Sequence, residues 1–145
     1  MRREYKKGTK WCVWRWKYIY WDKEIYLRRL YIARCPLFSI MIHFIDTPDK
    51  QRHLHDHPIY MLCFVLKGWY VEELEGSFDS PDSIGRVRWI NWVTPHKKHR
   101  IILTPKDGAV TLCFAGPSVR EWGFHTEDGW VGYQEYQRLY EGSTS

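Results

Sequence analysis

At 145 residues, 44% of them hydrophobic, the chain has the size of one ordinary domain and can bury a core without disulfide or zinc staples. No apolar stretch reaches the ~18 residues of a membrane-crossing helix. The four cysteines (Cys12, Cys35, Cys63, Cys113) are scattered without a Cys-x-x-Cys pair, and no signal-peptide pattern opens the chain, so a reduced, cytoplasmic setting is expected. The net charge of +5 is uneven: residues 1–34 hold eleven Lys and Arg against three Asp and Glu, or +8, which leaves −3 for the rest.

The basic segment is also aromatic, with Lys10, Trp11, Trp14, Arg15, Trp16, Lys17, Tyr18, Tyr20 and Trp21 in succession. Basic residues interleaved with aromatics can grip a phosphate backbone and stack bases. The charge here sits mostly before Lys10 and at Arg28, Arg29 and Arg34, apart from the densest tryptophans. That separation favours an aromatic strand covering a sheet edge over a nucleic-acid surface. Trp11 to Trp21 reads as one strand, or two joined by a turn, ending at Asp22-Lys23. Glu24 to Ala33 fits a short helix or a strand.

Leu37 to Ile45 is rich in β-formers and is followed by turn chemistry at Asp46 to Lys50. The next stretch, Arg52 to Glu73, holds His53, His55 and His57 at alternate positions, then Pro58, an apolar run from Ile59 to Leu66, and Gly68. Side chains two apart on a strand share a face, so His55 and His57 can aim both imidazoles at one point, as a metal chelate requires. The run from Ile59 is apolar at odd and even positions, which predicts burial on both faces. Trp69 to Leu74 reads as a further strand and Glu75 to Asp82 as a turn-rich loop. Arg86 to Thr94, His99 to Thr104 and Ala109 to Ala115 are strands punctuated by Pro95 and by the Pro105 to Gly108 turn. Many short strands closed by Gly or Pro predict an all-β sandwich or barrel. Gln134 to Tyr140 suits a short terminal helix, and Ser143 to Ser145 should fray.

His55-x-His57, three residues, Met61, six residues and Gly68, followed by a Pro95 and a later His99, resembles the two motifs of the cupin superfamily. The likeness runs from about Leu37 to Ala115. The first motif's carboxylate is replaced by Met61, and the second motif is one residue short and lacks its internal glycine. The longer string with His55-Asp56-His57-Pro58 is similar to small cupin-like proteins of phages and bacteria that carry no assigned reaction. The resemblance implies a cupin-type double-stranded β-helix over residues 1–145, with residues 1–34 as a basic aromatic extension packed on the barrel and a short C-terminal helix. It implies a divalent metal ion (Fe, Mn, Ni or Zn) on His55, His57 and His99, with His96 as the rival third ligand. A phage-encoded chain would act in the host cytoplasm.

Strand parity then places Met61 and Cys63 on the His57 side of a pocket and Ile101 and Leu103 on the His99 side. His43 reads as a core or cavity-lining histidine, and His53 as part of the entrance loop. Asp56 should face away and cap a turn or pair with an arginine. Arg52, Arg86 and Arg88 are candidates for the rim, and Trp89, Trp92 and Trp122 for a stacking wall. Glu72 and Glu73 follow the glycine and are placed outside the barrel, which leaves no evident general acid or base. Two functions fit: a metal-dependent oxygenase, isomerase or lyase for a small molecule, or a binding module for a sugar, nucleotide or nucleotide-derived signal. Neither membrane nor nucleic acid is expected as a partner, and a homodimer through an N-terminal strand is.

Overall fold

The computed structural model describes residues 11–76 and 83–141. The basic residues before Trp11, the 77–82 part of the expected loop and the terminal serines lie outside the described residues. In chain order the elements are β1 (Cys12–Trp21), β2 (Glu24–Arg34), β3 (Ser39–Ile45), β4 (Leu54–Asp56), β5 (Met61–Lys67), β6 (Tyr70–Leu74), β7 (Ile84–Val87), β8 (Ile90–Val93), β9 (His99–Leu103), β10 (Ala109–Ala115), β11 (Gly123–Thr126), β12 (Gly129–Gly132) and α1 (Tyr133–Tyr140). They form two six-stranded antiparallel sheets, ordered β1-β2-β3-β10-β5-β8 and β12-β11-β4-β9-β6-β7. This is the double-sheet jelly roll expected from the short strands, with, among the described residues, a single short helix at its C-terminal end.

Glu24 to Ala33 is strand, not helix: β2 pairs with β1 on one side and β3 on the other, and these pairings override the weak helical spacing of Tyr26, Leu30 and Ala33. The β1–β2 hairpin turns at Asp22 and Lys23, both at positive φ (46° and 68°), as a right-twisted two-residue turn demands. The aromatics of β1 do not all cover the body. Trp21 is buried with Tyr26, Phe124 and Tyr136 and Trp16 packs on Phe44, but Trp11 and Trp14 stand out in solvent at 77% and 70% exposure.

The apolar run after Pro58 is also corrected. Met61 and Cys63 on β5 are buried, while Leu62 and Phe64 are half-buried and Leu66 is exposed, so one face is inside and the other forms the outer surface of the first sheet. Gly68 (φ 75°) is required after β5, because a Cβ there would lie 2.7 Å from the Gly108 carbonyl oxygen. Tyr31, Met41, Met61, Cys63, Val93 and Cys113 form one apolar group with Ala115, and Tyr136 of α1 stacks on the fully buried Phe124 at 3.7 Å in another. A cavity lies between the sheets.

Candidate metal centre and its cavity

His55 lies on β4 directly opposite His99 on β9, and His57 follows two residues after His55. One ring nitrogen from each of the three lies within 4.8 Å of the others, and His57 Nε2 is 3.0 Å from His99 Nε2. Two ring nitrogens each ~2.1 Å from one ion, at near a right angle, sit ~3 Å apart. The spacing therefore suits a shared ion as well as it suits a mutual hydrogen bond.

Glu72 on β6 fixes how His99 is presented. Its Oε2 is 2.8 Å from His99 Nδ1, so Nδ1–H donates to the carboxylate and the Nε2 lone pair faces His57. Burial alone would push the Glu72 carboxyl up, but the hydrogen bonds and charges of His99 and Lys97 outweigh it and hold the pKa below the usual value. Lys97 Nζ donates to Glu72 Oε1 at 2.6 Å and to Asn91 Oδ1 at 2.7 Å, and Asn91 Nδ2 donates to the Tyr70 hydroxyl at 2.9 Å. On the other flank, Asp49 Oδ2 accepts the Ile101 N–H at 2.7 Å and lies 3.9 Å from His55 Nδ1. Burial first, then the charge of neighbouring histidines, lowers the pKa of His55 and of His57 well below the ordinary imidazole value. Both are neutral near pH 7, the form a metal needs. The donor set fits a divalent ion with open positions: two imidazoles held neutral by burial and a third, His99, whose Nδ1–H is turned to a carboxylate.

The cluster opens into a cavity of about 380 Å³, within the ordinary range for small-molecule sites. Met61, Cys63, Ile101 and His43 line it, and so does Trp122. Four expected lining residues do not. Leu103 is 49% exposed, because a register shift in the β6–β9 pairing makes Ile102 an extra residue: Ile101 pairs Glu72, but Leu103 pairs Val71 and turns outward. Arg88 and Trp89 form the tight β7–β8 connection on the surface, with Trp89 78% exposed. His96 sits in the turn after β8, in a surface cleft with Asp56 and Arg120 rather than in the cavity. Arg52, Arg86 and Trp92 are likewise exposed and outside the cavity.

Two further assignments change. Glu72, placed outside the barrel by its position after Gly68, is buried beside His99. The alternation Tyr70, Glu72 along β6 was the signal that its side chain points inward. Glu73 points the other way and pairs with Arg100. His53 is not in an entrance loop but buried against α1, with Nδ1 2.8 Å from the Tyr136 hydroxyl. Asp56 behaves as its parity suggested, bonding Arg120 at 2.8 Å, His125 at 2.7 Å and the Trp130 indole at 3.1 Å. His43, which lines the cavity, also contacts the core behind it: its Nδ1 is 3.7 Å from Cys113 Sγ, which lies 2.8 Å from Cys63 Sγ.

No protein-family profile matches the chain, and no curated protein matches it by sequence. Solved structures do. A cupin-2 domain protein from Rhodospirillum rubrum is 11% identical, with 89% of this chain and 82% of that one covered at a TM-score of 0.54. A cupin 2 conserved barrel domain protein from Rhodopseudomonas palustris is 14% identical, covering 71% and 69% at 0.52. A nucleoside dehydratase from Streptomyces is 10% identical, covering 85% and 90% at 0.51. The chain has the cupin fold, and it carries a cluster of three histidines inside the barrel.

Proposed function

We propose that the protein is a metal-dependent cupin enzyme acting on a small molecule, with His55, His57 and His99 holding a divalent ion. The observation that carries this reading is the convergence of three imidazoles on one wall of the cavity, with Glu72 setting the tautomer of His99. A bound ion would supply Lewis acidity toward a substrate oxygen or a site for O₂, which suits an oxygenase, isomerase or lyase. The chain's own residues do the rest. Met61 and Ile101 exclude water, Trp122 stacked on Tyr133 at 4.2 Å offers a flat face, and Glu72 with Lys97 holds a proton-sharing network behind His99. The other reading, a binding module for a sugar or nucleotide-derived ligand, draws on the same cavity and on the fold shared with a nucleoside dehydratase.

Thermal-shift screening separates the two. Metals, 2-oxo acids and thiols are tested against nucleotides and sugar phosphates, with and without chelator. A stabilising ligand that needs the metal supports the enzyme. A shift that survives chelator and the His55→Ala change supports the binder and sinks the enzyme. We also propose a homodimer, on the strength of the apolar outer face of the first sheet, where Phe44, Phe64, Leu66, Trp92 and Phe114 are at least partly in solvent. Light scattering that gives a strict monomer would remove it.

A further inference from the structure

On the wall facing away from the histidine strands, the hairpin β1–β2 brings three cations to the same cavity: Lys17, Arg29 and Arg34 all line it. Lys17 pairs across the ladder with Arg29, so two positive side chains sit directly opposite each other on one face, an arrangement that costs stability unless something neutralises it. Arg34 reaches this face through an irregularity. The β2–β3 register shifts between Tyr31 and Ala33, so Ile32 is an extra residue and the inward parity passes from odd (Arg29, Tyr31) to even (Arg34). Bulges that re-aim one side chain recur beside binding sites.

Among the described residues, none of the three forms an ion pair with a carboxylate. The other cation on the cavity, Arg120, is fully engaged, with bonds to Asp56 and to the Pro95 and Glu121 carbonyls. Arg29 is held by neutral partners only: Nε donates to His43 Nε2 at 2.9 Å and Nη1 to the Tyr31 hydroxyl at 3.1 Å. Its Nη2 has no bond among the described residues. Arg34 lies over the Tyr31 ring, with Cζ 4.9 Å from the centroid, and Arg29 over the same ring at 5.7 Å. Tyr31 thus braces two guanidiniums. Of the cavity's two carboxylates, Asp49 is committed to the Ile101 N–H, and the exposed Glu121 forms no ion pair with Lys17, Arg29 or Arg34 among the described residues.

The local field shows the excess charge. Burial pushes the Tyr31 hydroxyl up, yet Arg29, Arg34 and Lys17 together bring it below the ordinary tyrosine value. Lys17 is lowered first by partial burial of its ammonium, then by Arg29 and Arg34. A planar, five-donor guanidinium with free N–H groups suits oxyanions in particular. The geometry points to an oxyanion subsite formed by Arg29, Arg34 and Lys17, which holds the carboxylate or phosphate of the cavity's ligand while the rest of that ligand reaches toward the three histidines. This deepens the small-molecule reading of the cavity but stands apart from the metal, since none of the three cations is a ligand.

The test is calorimetric titration of chelator-treated full-length protein with inorganic phosphate, succinate and neutral erythritol at low ionic strength, where screening is weak. The absence of metal leaves the outcome unaffected, so failure of the metal centre and failure of the subsite are distinguishable. Binding of phosphate or succinate, with Kd raised at least about tenfold in Arg29→Gln and in Arg34→Gln and only partly restored in Arg34→Lys, which keeps the charge without the guanidinium fork, supports the subsite. Phosphate alone identifies a phosphoryl ligand, and succinate alone a carboxylate. The Arg34 side chain makes no hydrogen bond among the described residues, so its Gln variant keeps the fold even where Arg29→Gln loosens it. The proposal is overturned if neither anion binds more tightly than erythritol, if Arg34→Gln leaves affinity unchanged, or if Arg86→Gln, which alters a guanidinium stacked on Trp69 outside the cavity, weakens binding as much.

Discussion

On the cavity wall formed by β4, β6 and β9, the polar side chains behind the histidines have partners: Glu72 bonds both His99 and Lys97, Lys97 bonds Asn91, and Asp49 bonds backbone. On the wall formed by β1 and β2, three cations stand together with no ion pair to a carboxylate among the described residues. The first wall is finished as folded, because buried polar groups that are fully paired rigidify the side chains they hold. The second is folded at a cost that only a ligand offsets, the ordinary trade of stability for function. One wall presents fixed lone pairs, the other unspent positive charge.

The largest effect should come from removing the support of the cationic wall. Deleting residues 1–21 takes the buried Trp21 out of the group it forms with Tyr26, Phe124 and Tyr136 and leaves β2 as a bare edge. Loss of a buried Trp alone costs about 3–5 kcal/mol, so insoluble protein or a Tm lower by at least about 10 °C is expected. An unchanged melting curve would show that the hairpin is an appendage and that its cations belong to no wall. Steeply salt-dependent binding of single-stranded DNA or RNA, lost on this deletion with the fold intact, would instead assign the hairpin to nucleic acid.

On the paired wall, Glu72→Gln keeps the shape of the side chain but leaves Lys97 without its counter-charge and weakens the hold on His99. Divalent-metal affinity should fall about 10–100-fold, with a stability loss of about 3 kcal/mol, read by metal titration and urea unfolding. Equal affinity in the variant would remove Glu72 from the account.

Proton linkage gives a smaller effect. The folded pKa values of His55 and His57 are depressed, so the unfolded chain, with imidazoles near pKa 6.5, binds more protons below that pH. Stability of chelator-treated protein must therefore fall as pH drops below about 6.5, by up to ~1.4 kcal/mol per unit for each histidine. Urea unfolding at pH 7 and 5.5 should differ by about 2 kcal/mol, and the His55→Ala, His57→Ala protein should lose most of that difference. A wild type indifferent to this pH range would mean that the rings are not buried as neutral bases.

The smallest effect is opposite in sign. Arg34→Gln should raise the stability of ligand-free protein at low salt by about 0.5 kcal/mol, the scale of relieving one like-charge contact, and the gain should vanish at high salt. A clear loss would mean that Arg34 has a structural anion partner.

The histidine wall was readable because its information is local: His55 and His57 share a face by alternation, and Pro58, Gly68 and the strand beginning at His99 set the frame around them. The cupin motif carried the fold for the same reason. What was not readable depends on pairing between distant strands. Parity fails at a bulge, and here a register shift sends Leu103 outward and another turns Arg34 inward. Glu24 to Ala33 stayed open between helix and strand, which hid Arg29, since only as a strand between β1 and β3 does it face the cavity. Glu72 was within reach, two residues past the buried Tyr70. Trp89 and Arg88 were misplaced because a tight turn between two alternating strands reads as one continuous strand.

The claim on which the rest depends is that His55, His57 and His99 hold a metal, and elemental analysis tests it most directly. Protein purified without chelator, or reconstituted with Fe, Mn, Ni and Zn and desalted, should carry close to one divalent ion per chain, and the His55→Ala, His57→Ala protein should carry essentially none. Equal and negligible metal in both proteins under every reconstitution would contradict the account.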